Sequence, residues 1–227
     1  MARYRRLETL VMMKEIGVVP IFYLADVEVA RQIVAACADG GARMVEFTNR
    51  GDHAIEVFRQ VEAWAAANRP EIVLGAGTIL DAPTAALYLS AGANFIVAPH
   101  LDEDTARLCN GRKIPYLPGC GSVTEIQRAH TLGVEICKLF PAAEVGGPAF
   151  VKNVRGPLPW TDIMATGGVA PTKENLGGWF GAGVACVGMG SNLFLPELVA
   201  KRDYAGLTAR VQEILAMIRE VRRVPKR

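Results

Sequence analysis

The sequence predicts an α/β protein that folds as a single (β/α)8 TIM barrel with an additional N-terminal helix. Eight short apolar runs recur along the 227 residues, and they start about 24 residues apart on average. That spacing accommodates a strand, a helix and two short loops, and it is too long for consecutive hairpins. Strands buried on both faces, with helices between them, favour a closed parallel barrel, although an eight-stranded doubly wound sheet is an alternative.

The predicted strands are rich in β-branched and aromatic residues, which suit a buried parallel sheet. They begin with VVPIFYL at Val18, MVEFTNR at Met44, IVLGAGT at Ile72, FIVAPH at Phe95, IPYLPGC at Ile114, VEICKLFP at Val134, DIMATGG at Asp162 and VACVGMG at Val184.

The segments between the strands repeat apolar residues at helical spacing. Residues 3–16 predict a helix that covers the base of the barrel, and residues 204–222 predict the helix that closes the outer ring. After the third strand, Asp81 can cap a helix whose first turn contains Pro83. Because no linker interrupts this pattern, residues 1–227 are predicted to form one domain.

Composition restricts the partners of the protein. The chain has 25 Lys and Arg against 23 Asp and Glu, a net charge of +2, which gives no electrostatic reason to expect nucleic acid or a membrane surface. Five widely spaced cysteines without a CxxC pair fit reduced thiols in a cytoplasmic protein better than disulfides or zinc. We therefore expect neither secretion nor membrane insertion, and a small anionic substrate remains compatible with the charge.

Lys138 has the clearest chemical implication, because it lies in the apolar run VEICKLFP (residues 134–141). Burial disfavours the ammonium form and lowers the pKa of a lysine, which leaves a neutral amine able to attack a ketone and form a Schiff base. The alternative is a lysine that reaches the surface from a strand end or forms a buried ion pair with Glu135 or Glu46. The apolar run by itself favours this alternative.

Catalytic residues of such barrels gather at the C-terminal ends of the strands. Glu46, in the apolar run MVEF, either pairs with an internal cation or acts as an acid/base with a raised pKa. Arg50 offers a fork for a substrate carboxylate, or it forms a salt bridge with Asp52 or Glu46. The other candidates at strand ends are Thr78, Pro99, His100, Lys138, Thr166, Gly167, Gly168, Gly190 and Ser191.

Glycines after the seventh and eighth strands predict a phosphate site. Without a Cβ, the N–H groups of Gly167 and Gly168 can approach an anion closely, and Ser191 is predicted to open a helix. Each glycine alone is equally compatible with a tight connection, but their joint occurrence favours phosphate. His100 lacks a nearby second metal ligand and receives no role, and Cys120 is interpreted as a packed thiol.

Seven segments together resemble the class I aldolases that cleave 2-keto-3-deoxy-6-phosphogluconate (KDPG) and 4-hydroxy-2-oxoglutarate (KHG). The segments are VEFTNRGDHAIEVF, GAGTI, FIVAPH, PYLPGCGSVTEI, CKLFPAAEVGG, ATGGV and VGMGS. The resemblance implies cleavage of a 2-keto-4-hydroxy acid to pyruvate and an aldehyde, either glyceraldehyde 3-phosphate or glyoxylate. It also implies a homotrimer that uses no cofactor and no metal.

The same resemblance implies the roles of individual residues. Lys138 corresponds to the Schiff-base lysine and Glu46 to the general acid/base. The other implied roles are carboxylate binding by Arg50 and Thr78, lining of the substrate pocket by Pro99 and Phe140, and phosphate binding by Gly167, Gly168 and Ser191.

Two segments depart from the family pattern. Family members often carry a Trp soon after the serine that corresponds to Ser191, where this chain reads SNLFLP, and the turn after the fifth strand continues Cys-Gly-Ser. These differences predict a remodelled phosphate loop, and a weaker grip on phosphate would favour the shorter, unphosphorylated keto acid. The alternatives are a 2-keto-3-deoxy-6-phosphogalactonate aldolase, a sugar-phosphate isomerase or epimerase in which Lys138 only neutralises the anion, and a non-catalytic ligand-binding barrel.

Overall fold

Parallel strands alternate with helices along residues 2–223, the part of the chain that the computed structural model describes. The strands are β1 (Val18–Phe22), β2 (Met44–Thr48), β3 (Val73–Gly77), β4 (Ile96–Val97), β5 (Tyr116–Leu117), β6 (Gly119–Cys120), β7 (Ile136–Leu139), β8 (Asp162–Thr166) and β9 (Cys186–Met189). The helices are α1 (Arg6–Ile16), α2 (Val27–Asp39), α3 (Ala54–Asn68), α4 (Ala82–Ser90), α5 (Glu103–Arg112), α6 (Val123–Thr131), α7 (Gly147–Arg155), α8 (Lys173–Ala182), α9 (Pro196–Ala200) and α10 (Tyr204–Arg223). The single domain 1–227 stays a prediction, and residues 1 and 224–227 lie outside the described residues.

The sheet closes into a barrel. Neighbouring strands follow the order β5-β4-β3-β2-β1-β9-β8-β7-β6, and all pairs are parallel. β5 pairs with β4 and β6 pairs with β7, and only Pro118 separates β5 from β6. Since proline has no N–H to donate, it interrupts the ladder within what is the fifth predicted strand. The nine segments therefore occupy eight positions, and the predicted (β/α)8 barrel is confirmed.

Helix α1 covers the N-terminal end of the barrel, as predicted, but it begins at Arg6 and not at residue 3. The N–H groups of Arg3 and Tyr4 donate to Asn94 Oδ1 at 2.8 and 3.1 Å, which commits this part of the backbone to a tertiary contact. The helix packs against inward-facing side chains at the lower ends of the strands, in a cluster that contains Leu10, Met12, Met13, Val19, Met44, Val73, Phe95, Val97, Leu117, Ile136, Met164 and Cys186. This apolar plug leaves the C-terminal ends of the strands as the open end of the barrel.

Small residues replace large ones inside the upper half of the barrel. Alternate residues of a strand face the same side, so Gly75 and Gly77 follow Val73 on the inner face of β3. A Cβ at Gly75 would overlap the ring of Phe95, which is fully buried. Large side chains thus fill the barrel interior near the N-terminal ends of the strands, and glycines leave space near the C-terminal ends.

The helices cover the outside of the barrel. α10 packs against α2 and α8 and closes the ring of helices, as predicted. Its buried residues are the predicted apolar set, Leu207, Val211, Ile214, Leu215 and Ile218. The predicted cap of α4 is also present, because Asp81 accepts a hydrogen bond from the N–H of Thr84 at 2.7 Å.

The cysteines lie in the protein interior. Cys37, Cys109, Cys120, Cys137 and Cys186 are all buried and free, in agreement with the predicted core thiols. Within residues 2–223, none of the helices combines the length and the apolar character that crossing a bilayer requires.

Replacing Gly75 by Ala should lower the free energy of unfolding by about 1–3 kcal/mol, because the added methyl group would overpack the Phe95 ring. Gly181→Ala is the matched control, since Gly181 lies in α8 with open space around a new Cβ. This control should raise the free energy of unfolding by up to about 1 kcal/mol. Urea denaturation measures both changes, and a Gly75→Ala variant as stable as the wild type would contradict the close contact.

Candidate active site

Lys138 projects into the barrel from β7. Its side chain is 6% exposed, and its neighbours in the sheet are Gly119 on β6 and Met164 on β8. Lys138 Nζ lies 4.5 Å from the centroid of the Phe140 ring. Glu135, a suggested ion-pair partner, instead contacts Arg6 at 2.7 Å at the base of the barrel. Lys138 therefore neither reaches the surface nor pairs with Glu135.

Burial controls the protonation of Lys138. Loss of hydration lowers the pKa of its amine below the ordinary value of 10.5, and Arg50 lowers it further. The carboxyl group of Glu46 opposes this shift but does not reverse it. The arrangement favours the neutral amine, which is the nucleophilic form.

Glu46 lies on β2, at the barrel position opposite β7. It is 1% exposed, and its Oε1 occupies the space that a Cβ at Gly77 would require. Its Oε2 is buried and has no hydrogen-bond partner among the described residues. Burial raises the pKa of this carboxyl group, and the positive charges of Lys138 and Arg50 only partly offset the effect.

Lys138 and Glu46 influence each other without contact. Among the ion pairs of residues 2–223, which extend to 4.0 Å, none joins these two side chains. A direct ion pair would satisfy both groups and leave neither free to react. Without such an ion pair, the neutral amine of Lys138 can add to a carbonyl and the carboxyl group of Glu46 can move protons.

Arg50 and Thr78 meet at the open end of the barrel. Arg50 Nε donates to Thr78 Oγ1 at 3.4 Å, and no carboxylate among the described residues forms an ion pair with Arg50. The suggested salt bridges with Asp52 and Glu46 are therefore absent from residues 2–223. Thr78 has a φ of 58°, a strained conformation for a β-branched residue, and such strain concentrates at functional sites.

A cavity of about 700 Å³ opens above the barrel between the ends of β1, β2, β7, β8 and β9. Five of the predicted site residues line it, namely Arg50, Phe140, Gly167, Gly168 and Ser191, whereas Lys138, Glu46, Thr78 and Pro99 are not among its lining residues. Pro99 follows β4, and its carbonyl lies against Gly119. The role predicted for Pro99 stays a prediction, as do those of the other site residues.

The loops after β8 and β9 present free backbone N–H groups. Gly167 and Gly168 have φ values of 95° and 74°, which glycine adopts without strain. The hydrogen bonds found within residues 2–223 do not use the N–H groups of Gly168, Val169 or Ser191. Val169 is only 3% exposed, and a buried N–H without an acceptor is costly. Such groups favour a bound anion.

The prediction that Ser191 opens a helix is wrong. Residues 191–194 form a single turn, in which the N–H of Phe194 donates to Gly190 O at 2.9 Å, and α9 begins only at Pro196. A helix starting at Ser191 would contain Pro196, which lacks the required N–H and restricts Leu195 to an extended backbone. The amides available to an anion are therefore those of a turn.

His100 and Cys120 lie away from the cavity lining. His100 is exposed, and its backbone carbonyl accepts a hydrogen bond from Tyr116 Oη at 3.3 Å. Cys120 is buried, and its Sγ donates to Pro118 O at 3.7 Å. The neighbouring Cys137 thiol and burial raise the pKa of its thiol. Cys120 is thus a packed thiol without an activating base, as the sequence suggests.

Two threonines received no role from the sequence but face the same space. Thr48 and Thr166 line the cavity, and the Oγ1 atom of Thr166 is buried without a hydrogen-bond partner among the described residues. Each lies two residues after an inward-facing side chain, Glu46 on β2 and Met164 on β8. The period-two alternation of strands is the signal that identifies them. No group of three or more His, Cys, Asp or Glu within residues 2–223 is arranged to hold a metal ion.

Sequence comparison finds related proteins over most of the chain. The family model described as KDPG and KHG aldolase matches residues 10–210. A 2-dehydro-3-deoxy-phosphogluconate aldolase of Pseudomonas aeruginosa is 36% identical over 190 residues, which cover 83% of this chain and 83% of that protein. A KHG/KDPG aldolase of Escherichia coli is 30% identical over 197 residues, which cover 86% of this chain and 89% of that protein.

A solved structure of a KDPG aldolase from Legionella pneumophila has a similar fold. Its TM-score is 0.82 at 26% identity, over 90% of this chain and 97% of that one. In that structure, pyruvate is captured at low pH as a covalent carbinolamine intermediate.

Replacing Lys138 by Met should raise the free energy of unfolding by about 1 kcal/mol or more, because the apolar side chain fills similar space without burying an amine. Lys152→Met is the control, since Lys152 is exposed on α7 and its replacement should change stability by less than about 0.5 kcal/mol. Thermal and urea unfolding measure both variants. A loss of about 3–5 kcal/mol for Lys138→Met would instead indicate that a buried ion pair had been broken.

Proposed function

The chain belongs to the KDPG and KHG aldolase family, and on this premise we propose that Lys138 and Glu46 cleave a 2-keto-4-hydroxy acid to pyruvate and an aldehyde. Membership makes the protein a lyase of the aldolase class. One observation carries the residue assignment. The buried amine of Lys138, with its lowered pKa, faces a carboxyl group across the barrel that has an unpartnered buried oxygen.

The first step is addition of the neutral Lys138 amine to the C2 ketone of the substrate. A proton moves from nitrogen to oxygen to give a carbinolamine. Its hydroxyl group then takes a proton from Glu46, directly or through a water molecule, and leaves as water, which gives an iminium ion. The Legionella pneumophila structure, with its pyruvate carbinolamine, supports this step here. Burial favours the step because it lowers the pKa of the attacking amine and so makes its neutral form more accessible.

The second step breaks the C3–C4 bond. Glu46, directly or through a water molecule, takes the proton of the C4 hydroxyl group, the aldehyde departs, and the bonding electrons move into the iminium to form an enamine. Protonation at C3 and hydrolysis then release pyruvate and restore Lys138. A carboxyl group with a raised pKa suits both directions of proton transfer, because each protonation state is accessible closer to neutral pH.

The remaining site residues orient the substrate. Arg50 and Thr78 hold its carboxylate. This assignment is supported by the exposed guanidinium of Arg50, which forms no ion pair with a carboxylate in residues 2–223. Pro99 and Phe140 flank the reacting carbons, and the ring of Phe140 against Lys138 Nζ supports this assignment for Phe140. Gly167, Gly168 and Ser191 bind the phosphate.

The proposed substrates are KDPG and KHG. Free N–H groups at Gly168, Val169 and Ser191 support a phosphorylated substrate. KHG is the second candidate because Arg50 is the only charged side chain among the described residues that line the cavity. If Arg50 takes the carboxylate, a phosphate must rely on backbone amides.

The assembly, location and cofactor independence of the protein are further proposals. A homotrimer is proposed from the resemblance to the family, and exposed Leu80 and Leu87 beside and on α4 offer apolar surface for a subunit contact. A cytoplasmic location is supported by five buried, free thiols. The iminium supplies the electron sink, so the scheme itself needs no metal and no cofactor.

Incubation with pyruvate and borohydride should attach a stable, reduced pyruvate adduct to Lys138, because borohydride reduces the iminium to an amine that no longer hydrolyses. Peptide mass spectrometry locates the adduct, and the other lysines of the same digest are internal controls. Lys138→Met should give no adduct at any position. Folded wild-type protein with Lys138 unlabelled would overturn the proposed function.

The value of kcat/KM for pyruvate release should fall as the pH is lowered. Protonation of Glu46 removes the base, and protonation of Lys138 removes the nucleophile. Activity should level off below pH 10.5, since burial lowers the pKa of Lys138 from that value. Glu46→Gln should lower kcat by about 10²–10⁴-fold. In this variant the fall in kcat/KM, which then reports the protonation of Lys138 alone, should occur at lower pH, because Glu46 raises the pKa of Lys138 in the wild type.

The matched control for this measurement is Glu56→Gln, an exposed carboxylate on α3 with its side chain 57% exposed. Its pH profile should follow that of the wild type. A Glu46→Gln variant that kept wild-type kcat would remove Glu46 from the proton-transfer role.

A further inference from the structure

Two side chains without a role in the scheme above connect the loop after β8 with the loop after β9 through hydrogen bonds. We call these two loops the anion loops. Asn192 Nδ2 donates to Val169 O at 2.7 Å, which joins the loop after β9 to the loop after β8. Arg210 on α10 donates to Asn192 O through Nε at 3.1 Å and Nη2 at 2.5 Å. We call these two side chains and their hydrogen bonds the Asn192–Arg210 strap.

A second amide orients the loop after β8. Asn175 Nδ2 donates to Gly168 O at 3.4 Å, and Asn175 Oδ1 accepts from the N–H of Ala170 at 2.8 Å. The carbonyl of Gly168 and the N–H of Val169 belong to one planar trans peptide group, so they point in opposite directions. Holding the carbonyl against α8 therefore turns the buried N–H of Val169 away from that helix, towards the cavity that Val169 lines.

The strap fixes how far apart the two sets of N–H groups lie. Asn175, on α8, orients the Gly168–Val169 peptide, but none of its hydrogen bonds within residues 2–223 reaches the loop that carries Ser191. Asn192 supplies that link, and Arg210 holds the backbone of Asn192 from outside the cavity. An anion bound by both loops depends on this spacing because N–H···O bonds weaken beyond about 3.2 Å.

We propose that the Asn192–Arg210 strap is a specificity device that spaces the two loops for a terminal phosphate and thereby selects phosphorylated over unphosphorylated keto acids. The identity of these substrates rests on the proposed function. Asn192 and Arg210 act as positioning residues, and the groups that contact phosphate are backbone N–H groups. Lys138 and Glu46 lie on barrel strands, so loosening the loops leaves the bond-breaking step intact.

The kinetic test compares KDPG with KHG in the wild type, Asn192→Ala, Asn192→Asp and Arg210→Met. Loss of one link should lower kcat/KM for KDPG about fivefold through KM, with kcat nearly unchanged. For KHG, which has no phosphate, both constants should stay within about twofold. Arg210→Lys retains a donor for Asn192 O and should restore most of the preference. Arg219→Met, an exposed change on α10, is the matched control.

A binding test separates this inference from the proposed function. Isothermal titration with inorganic phosphate needs no turnover, and the Kd should rise about fivefold in Asn192→Ala and Arg210→Met. Wild-type protein that releases no pyruvate from either substrate would overturn the proposed function, and the phosphate titration would still decide on the strap. Three results would each overturn the proposed role of the strap. These are an unchanged phosphate affinity in the variants, no phosphate binding by the wild type, and an equal loss of kcat/KM with KDPG and KHG.

Discussion

The site depends on the burial of one amine that forms no ion pair with any of the residues that the structure describes. Lys138 is held on the inner face of β7, where loss of hydration lowers its pKa, and Glu46 is held at the opposite barrel position. Both strands are fixed by ladders on two sides, so the two side chains cannot collapse into an ion pair by a shift of the backbone. Gly77 supplies the space that the Glu46 carboxyl group occupies. The closed barrel thus keeps two mutually attractive groups apart.

The structure divides the work between strands and loops. Lys138 and Glu46 lie on strands in the rigid interior, whereas the free N–H groups of Gly168 and Ser191 lie in turns above it. Loops tolerate substitution better than strands buried on both faces. On the proposed assignment, substitutions at residues such as Asn192 can therefore change substrate preference without disturbing Lys138 and Glu46. The arrangement of Lys138 and Glu46 lowers the stability of the fold, because Oε2 of Glu46 is buried without a hydrogen-bond partner among the described residues.

Much of the fold follows from local patterns in the sequence. Apolar runs at regular spacing predicted every barrel strand. The run around Lys138 by itself favoured a lysine that reaches the surface or forms an ion pair, and its role as a Schiff-base lysine was implied by the resemblance to the family. The period-two alternation of β8 also indicates that the side chain of Thr166 points inward, although the sequence assigned no role to this residue. The prediction for Ser191 failed because Pro196, five residues further along, decides where the helix can begin.

Other features depend on contacts between distant residues, which local patterns do not contain. The start of α1 is set by Asn94, about 90 positions away, and the link from Asn192 to Val169 spans 23 positions. The strained φ of Thr78 and its hydrogen bond with Arg50 likewise depend on the loops that surround them. The reaction class was accessible from the sequence, whereas the spacing of the anion loops required the structure.

The most direct test of the central claim is an NMR titration of the Lys138 amine, with lysine labelled at Cε and Lys138→Met used to assign its signal. The account predicts that the pKa of Lys138 is below the ordinary value of 10.5. It also predicts that this pKa falls further in Glu46→Gln, because the carboxyl group of Glu46 raises it in the wild type. A pKa at or above 10.5 in the folded wild type would contradict the account, since the amine would then be protonated at neutral pH like any exposed lysine.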